Sequence, residues 1–128
     1  MFVGYQTLRF TRDHTWVRLQ GDTLRVGLTD VLTGGLTGLV EVGLPPPGGA
    51  LHLLAPCGFL ATRTWYGDLF APAAGLVSER NELLFDDPGL VVRDPYESGW
   101  LFELRHTGDP LPDTLDGADY LELVSQVL

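Results

Sequence analysis

The chain has 128 residues, the length of one domain with a sizeable core, and we expect residues 1–128 to form a single domain. It has 17 acidic residues against 8 basic ones, so its formal net charge is −9 at pH 7. That charge disfavours nucleic acid and anionic membranes as partners and favours proteins with basic surfaces. All the basic residues are arginines, and the sequence contains no lysine.

The N-terminal segment and the cysteine content bear on the cellular compartment. Residues 1–5 lack the basic and long apolar segments of a signal peptide, and no apolar run in the chain is long enough to span a bilayer. The single cysteine, Cys57, cannot form an internal disulfide and is interpreted as a small buried hydrophobic residue. We therefore expect a cytoplasmic protein.

The first part of the chain predicts a β-meander and a short helix. Three segments alternate or nearly alternate apolar with polar side chains, as strands do: residues 7–10, 15–19 and 23–28. Gly21-Asp22 separates the last two and is typical of a hairpin turn. Thr29 is a candidate N-cap, with Asp30 in the first turn of a short helix that Gly38 ends.

The middle of the chain predicts further strands. Residues 38–44 predict one strand, and the prolines and glycines of 45–49 predict a stiff loop that cannot join a sheet ladder. Residues 51–63 predict two strand pieces interrupted at a proline. Residues 60–72 predict a hairpin, in which Gly67-Asp68 supplies the turn chemistry.

The last part of the chain ends in a helix. Residues 75–80 and 100–105 predict strands, and 81–85 a helical turn that the Asp-Asp-Pro-Gly sequence then breaks. Asp116 is a candidate cap for a terminal helix that should pack on the sheets, with four residues on one face: Tyr120, Leu121, Val124 and Leu128. Many short strands with turns between them indicate an all-β sandwich or barrel with small helices.

Several short motifs, in this order and spacing, resemble the glycine cleavage system H-protein, a lipoyl-carrier family. They are His14-x-Trp16-Val17-Arg18, Val26-Gly27-Leu28-Thr29-Asp30, Leu44-Pro45 with Gly48, Ala71-Pro72 with Gly75, Asn81, and Asp94-Pro95-Tyr96 with Gly99-Trp100-Leu101. The resemblance spans residues 9–105 without gaps. It implies a mainly β barrel-sandwich hybrid, the fold of lipoyl and biotinyl carriers, with short helices and a C-terminal helix.

The resemblance also implies a function and places its key residue. H-proteins carry lipoate on a lysine at a hairpin tip and pass an aminomethyl group from glycine decarboxylase to aminomethyltransferase. Counting back from Ala71-Pro72, that lysine falls on Thr64, whose hydroxyl lacks the nucleophilicity and reach of an ε-amine. Neighbouring Arg63 stays protonated and is not an acyl acceptor. We therefore expect no lipoate cofactor.

Other departures from the family pattern lie near the same function. Thr15, Val31, Thr37-Gly38 and Ala61 replace family residues, several of them polar groups that would serve the arm or its charged cargo, whereas Asp68 matches the acid four residues after the lysine. The positions that build turns and core are kept. The pattern indicates a scaffold preserved without its carrier function.

The hairpin nevertheless offers a candidate partner-binding site. Trp65 and Tyr66 are large aromatic residues at a tip, where such side chains anchor partners, although they could equally tuck back onto the domain. Arg63 could pair with a carboxylate or stack on Trp65, or could be a solvated charge. With Asp68, these residues make up the predicted partner-binding set.

We predict no catalytic residue and no metal ligand. His14, His52 and His106 lack metal-ligand spacing and are interpreted as structural. Cys57 and His52 would lie on opposite faces of an unbroken strand, which argues against a nucleophilic pair.

The leading hypothesis is a non-lipoylated H-protein homologue that acts as a protein-binding or regulatory module and is not an enzyme. One alternative is a structural or accessory component of the glycine cleavage complex, while a lysine-bearing paralogue carries the group. Candidate partners are glycine decarboxylase, aminomethyltransferase and lipoate-handling proteins. A hydrolase or transferase on this fold is the third and weakest possibility, because the sequence assembles no nucleophile, base and orienting residue.

Overall fold

The computed structural model describes residues 8–109, 111 and 113–127, which form β-strands joined by turns and short helices. The strands are β1 (Arg9–Phe10), β2 (Thr15–Gln20), β3 (Thr23–Leu28), β4 (Leu39–Gly43), β5 (Ala50–Leu51), β6 (Pro56–Thr62), β7 (Tyr66–Phe70), β8 (Gly75–Arg80) and β9 (Phe102–His106). The helices are α1 (Asp30–Thr33), α2 (Leu83–Asp86), α3 (Leu90–Arg93) and α4 (Gly117–Val127). Residues 1–5, on which the signal-peptide prediction was made, and Thr7 lie outside the described residues.

The strands form two antiparallel sheets. A six-stranded sheet has the order β1-β2-β3-β9-β8-β5, and a three-stranded sheet has the order β4-β6-β7. Buried apolar side chains from both sheets meet in one main core, which includes Val26, Val42, Leu60 and Leu104. The predicted mainly β barrel-sandwich hybrid with short helices and a C-terminal helix is confirmed.

The β2–β3 hairpin follows directly from local sequence. Gly21 takes a φ of 64°, which glycine adopts without steric cost, and the two strands pair from Thr15 opposite Leu28 to Gln20 opposite Thr23. The predicted strands and turn are therefore confirmed here. Inward-facing Val17, Leu24 and Val26 enter the main core, so the alternation also sets the face that packs.

The C-terminal helix closes a second, smaller core. The Asp116 carboxylate accepts a hydrogen bond from the amide of Asp119 at 2.8 Å, which confirms the predicted cap. Tyr120 stacks on Phe10 with ring centroids 4.7 Å apart, and Val124 packs beside them. Leu121 is 55% exposed, however, so its predicted place on the packed face is wrong, and Leu128 lies outside the described residues.

The helices differ from the predictions in length and number. The predicted helix after Thr29 ends at Thr33, with Gly34 as its C-cap, and does not reach Gly38. Helix α3 was not predicted, because the Asp-Asp-Pro-Gly break is followed by a second helical turn. There the amides of Leu90 and Arg93 bond back to the carbonyls of Asp87 and Gly89.

In the middle of the chain, tertiary contacts determine which sheet each strand joins. The two pieces predicted in residues 51–63 exist, but β5 joins the six-stranded sheet and β6 the three-stranded one. The 45–49 loop stays outside the strands, as predicted, although its two glycines form backbone hydrogen bonds with β8. Gly48 donates to the Val77 carbonyl at 2.7 Å, and the Val77 amide donates to the Gly49 carbonyl at 2.9 Å. Among the described residues no helix is long and apolar enough to cross a membrane, and the cytoplasmic location stays a prediction.

Candidate functional site

The tip of the β6–β7 hairpin is a tight loop fixed by one threonine. The Thr62 amide donates to the carbonyl of Trp65 at 2.8 Å. Its Oγ1 accepts hydrogen bonds from the amides of Thr64 at 3.3 Å and Trp65 at 3.0 Å. A hydroxyl that bonds backbone amides two and three residues on replaces a backbone turn. The tip is therefore a defined turn.

The predicted hairpin is confirmed, but its predicted turn is wrong. Gly67 and Asp68 lie within β7, paired with Leu60 and Phe59. The turn forms earlier because Thr62 closes it. Gly67 serves a different purpose, since a side chain there would clash with the ring of Trp65.

Thr64 lines a groove between the tip and α1. The groove has a volume of about 460 Å³. Its described lining residues are His14, Val31, Leu32, Gly35, Leu36, Thr37, Thr62, Thr64 and Trp65. None of them carries a carboxylate, and His14 is their one titratable side chain. The groove is thus a site with a mostly neutral lining that includes three threonine hydroxyls.

His14 is held on the groove wall from behind. It adopts a φ of 64°, and its backbone is fixed by bonds to Thr11 and Thr29. The His14 Nδ1 lies 2.8 Å from the hydroxyl of Tyr120, which lies 2.7 Å from Oγ1 of Thr29. These contacts give His14 the structural partners that the sequence predicted. They leave the other edge of its ring beside the groove.

Trp65 and Tyr66 lie on opposite sides of the hairpin, because successive side chains of a strand alternate. The Trp65 ring covers Gly67 and lines the groove, and Trp65 is 45% exposed. Tyr66 is 62% exposed and stacks on Phe59. Both aromatics are therefore accessible, and they face different sides of the tip.

The two predicted charged residues also differ in environment. Arg63 is exposed at the tip, and among the described residues it forms no ion pair and no stack on Trp65. Asp68 lies on the same face of β7 as Tyr66. The pKa of the Tyr66 hydroxyl is raised by desolvation, by the charge and hydrogen bonding of Asp68, and by the charge of Glu41.

The departures from the family pattern do not converge on one place. Val31 and Thr37 line the groove, whereas Thr15, the first residue of β2, is buried and Ala61 lies beside Tyr66 on the far face of the sheet. Val31 and Thr37 are therefore the departures that bear directly on what the groove can hold. Sequence reasoning missed Leu36 as a groove residue, because its position depends on where the short helix α1 ends.

A hairpin tip beside a groove, on a barrel-sandwich hybrid, defines a carrier-type domain of the lipoyl class. The family model of the glycine cleavage H-protein matches residues 8–126. The chain therefore belongs to the glycine cleavage H-protein family, whose members are lipoate-carrying components of the glycine cleavage system and work with glycine decarboxylase and aminomethyltransferase.

Individual relatives agree with that assignment. The chain is 36% identical over 121 residues to the glycine cleavage system H protein of Bacteroides thetaiotaomicron, covering 94% of this chain and 96% of the relative. It is 38% identical over 120 residues to that of Alkalilimnicola ehrlichii, covering 92% of each. The crystal structure of a glycine cleavage system H protein from Mycobacterium marinum superposes with a TM-score of 0.85 at 32% identity. That superposition covers 96% of this chain and 98% of the other.

Proposed function

We propose that this chain is a non-lipoylated member of the H-protein family that acts as a protein-binding or regulatory module. The observation that carries the proposal is the absence of lysine from all 128 residues. Lipoate joins these proteins through an amide on an ε-amine, and neither a threonine hydroxyl nor a protonated guanidinium replaces that amine. The residues at the hairpin tip, Thr64 and Arg63, do not fit the cofactor.

The chemistry of the groove supports the same proposal. An aminomethyl cargo is a cation at neutral pH and needs a carboxylate or several hydrogen-bond acceptors to replace its water. The described groove lining contains no carboxylate, and Val31 occupies a position where the family pattern has a polar residue. A groove of this composition suits a neutral or apolar occupant.

The accessible aromatics support binding to another protein. Trp65 and Tyr66 present large apolar area on two sides of the tip, and Arg63 is exposed there without an ion-pair partner among the described residues. Truncating an aromatic anchor commonly costs about 2 kcal/mol or more of binding free energy. Trp65, Tyr66, Arg63 and Asp68 are therefore our proposed partner-binding residues.

We also propose that residues 1–128 form one domain and that it is not an enzyme. Cys57 is partly buried, not fully buried as the sequence predicted, and packs against the main core. That burial raises the pKa of its thiol to about 12, so the one thiol of the sequence is protonated at neutral pH and is a poor nucleophile. No pair of base and nucleophile meets around it among the described residues.

A second candidate is a structural or accessory role in the glycine cleavage complex. This role is favoured because the backbone fold of nearly the whole chain matches that of a family member, and the shape of a docking surface depends on the fold. In this role the chain would bind glycine decarboxylase, aminomethyltransferase or a lipoate-handling protein while a lysine-bearing relative carries the group.

The first experiment measures intact mass. The chain is purified from its own host and from cells that overproduce a lipoate ligase and are fed lipoate, with a lysine-bearing H-protein from the same cells as the positive control. We expect the mass of the bare chain in both cases. A lipoyl adduct on any residue would overturn the proposal.

The second experiment identifies the partner. Tagged wild-type chain and the variants Trp65→Ala and Tyr66→Ala are used to capture proteins from the host, which are identified by mass spectrometry and then titrated in purified form. Leu121→Ala, an exposed apolar change on α4, is the control. We expect weaker binding for at least one of the two hairpin variants and unchanged binding for the Leu121→Ala control. Recovery of the decarboxylase or the aminomethyltransferase would favour the accessory role, and equal affinity of all variants would contradict the hairpin site.

A further inference from the structure

The three-stranded sheet has an accessible surface on the side away from the main core. Val42, Leu60 and Leu69 are buried and point inward, so their neighbours of opposite parity point outward. We call these residues the outer sheet face: Glu41, Phe59, Ala61, Tyr66 and Asp68. This face lies on the opposite side of the hairpin from the groove.

The strand register places these side chains in two rows across the sheet. Glu41 is opposite Ala61, and Ala61 is opposite Tyr66. Ala61 carries only a methyl group and lies between Glu41 and Tyr66, which are two strand spacings of about 4.8 Å apart. In the adjacent row Phe59 is opposite Asp68. The small Ala61 side chain therefore has a carboxylate, a phenol and a second aromatic ring as its neighbours on this face.

The two aromatic rings form one platform. Phe59 and Tyr66 stack with ring centroids 5.3 Å apart and planes 19° apart. The Phe59 ring also lies over Gly43, where a side chain would clash with it. Tyr66 is 62% exposed, so the platform is accessible from solvent. A pre-formed and accessible π surface binds planar or cationic groups.

All the charged side chains on this face are negative. Glu41 and Asp68 are the only charged residues in β4, β6 and β7, and both are exposed. Neither forms an ion pair with any residue that the structure describes. Desolvation raises the pKa of the Tyr66 hydroxyl, and the charge and hydrogen bonding of Asp68 and the charge of Glu41 raise it further. The face thus carries two carboxylates whose counter-charge is not supplied by the described part of the chain.

We propose that the outer sheet face binds an arginine side chain of a partner protein, with the guanidinium stacked on Tyr66 and paired to Glu41 and Asp68. Arginine matches both the aromatic platform and the two carboxylates. Its planar guanidinium stacks on aromatic rings and donates two parallel hydrogen bonds to a carboxylate. Lysine offers a point charge without a planar face. An apolar segment would bury the two carboxylates without a counter-charge, and nucleic acid would be repelled by them.

This inference deepens the proposed function and rests on the chain being a binding module. It names the chemistry of the partner, a protein segment that presents arginine, and it uses Tyr66 and Asp68 together with Glu41 and Phe59, which the sequence did not single out. It does not depend on the groove or on Trp65.

The test is a titration of the ¹⁵N-labelled full chain, followed by NMR, with a glycine-serine peptide that carries two arginines. Matched peptides replace the arginines by citrulline, which keeps the shape and loses the charge, or by lysine. We expect saturable shifts of the amides of Ala61, Tyr66 and Asp68 with the arginine peptide. We expect affinity lower by about tenfold with citrulline and an intermediate value with lysine.

Variants locate the effect. Glu41→Gln with Asp68→Asn should weaken the arginine peptide by about tenfold, because hydrogen bonds to a charged partner are lost. Glu122→Gln with Asp86→Asn makes the same change in net charge at exposed positions elsewhere and should alter affinity by less than about twofold. Tyr66→Ala should abolish detectable binding of the arginine peptide, because it removes the ring on which the guanidinium stacks.

Each contrary result is informative. Equal affinity for the citrulline peptide, equal weakening by both charge pairs, or shifts confined to the hairpin tip would overturn the inference. If the chain captures a partner through Trp65 but does not bind the arginine peptide on this face, the inference is wrong while the proposed function stands. A lipoyl adduct in the mass spectrum would instead refute the proposed function, whatever the peptide does.

Discussion

The hydroxyl of Tyr120 lies 2.7 Å from Oγ1 of Thr29, and this contact joins residues 91 positions apart. It connects the C-terminal helix α4 to the first residue before α1. The same hydroxyl lies 2.8 Å from Nδ1 of His14, so the wall of the groove is supported by a helix at the far end of the chain. Thr29 is the predicted N-cap by position, but its side chain makes no capping hydrogen bond.

Removing that hydroxyl should destabilise the protein. We expect Tyr120→Phe to lower the free energy of unfolding by about 1–3 kcal/mol, because the buried Thr29 hydroxyl and His14 lose a partner. The ring and its stacking on Phe10 are retained, so the fold should be unchanged. Urea denaturation measures the loss. Leu121→Ala, one residue on and exposed, is the control and should stay within about 0.5 kcal/mol of wild type. Equal stability of the two variants would contradict the bracing role.

The order of the hairpin tip should depend on one side-chain oxygen. Thr62→Val keeps the shape of the side chain but removes the acceptor for the amides of Thr64 and Trp65. We expect these two amides to exchange with solvent about fivefold faster, which corresponds to roughly 1 kcal/mol for the lost hydrogen bonds. Thr62→Ser retains the oxygen and should exchange like wild type. Hydrogen exchange followed by NMR checks this, and unchanged rates in the valine variant would show that the tip is held by other contacts.

A lysine at the tip should restore attachment but not carriage. We expect Thr64→Lys to accept lipoate from a ligase, because the tip presents residue 64 to solvent, and Arg63→Lys to be modified less, because its amine is displaced by one residue. Neither should support glycine-dependent carbon dioxide exchange with the decarboxylase. The groove lacks a carboxylate for the charged cargo, and each missing charged hydrogen bond costs roughly 1.5–3 kcal/mol.

Intact mass and the exchange assay check the two parts of that prediction separately. A lysine-bearing H-protein in the same assay is the positive control. Turnover by lipoylated Thr64→Lys near that of the control would mean that residue 64 is the single defect and that Val31 is neutral.

The partly buried thiol of Cys57 should react slowly in the folded protein. Burial raises the pKa of Cys57 from its ordinary 9.0 to about 12. At pH 8 this difference lowers the thiolate fraction by roughly 10²–10³-fold, and iodoacetamide should alkylate the native chain correspondingly more slowly than the chain unfolded in urea. A native rate equal to the unfolded rate would place the thiol in solvent.

The same shift sets a direction for the pH dependence of stability. The folded state holds its thiol proton to higher pH than the unfolded state, so this contribution is complete below about pH 8 and is lost as the pH rises from about 9 towards 12. The slope of the unfolding free energy reaches at most about 1.4 kcal/mol per pH unit. Cys57→Ala is the control, and its stability should fall less steeply than that of wild type above pH 9.

The sequence by itself determined the elements that are stabilised by residues close to one another in the chain. The alternation of residues 15–19 and 23–28 with Gly21-Asp22 between them contains both the strand period and the turn chemistry, and the hairpin is where the sequence places it. The Asp116 cap needs only the amide of Asp119, three residues on. The absence of lysine is likewise a property of the sequence alone and needs no coordinates.

The tertiary structure decided what depends on contacts between distant residues. Sequence predicted the hairpin but placed its turn at Gly67-Asp68. The structure shows that the Thr62 hydroxyl closes the turn, and that Gly67 is needed because the Trp65 ring lies over it. Neither contact is visible in the sequence. Sequence reasoning treated Trp65 and Tyr66 as one anchor, whereas the strand period of two sends them to opposite faces. Glu41 reaches the neighbourhood of Tyr66 only because β6 pairs with β4 on one side and β7 on the other, and that pairing is chosen by the core beneath the sheet.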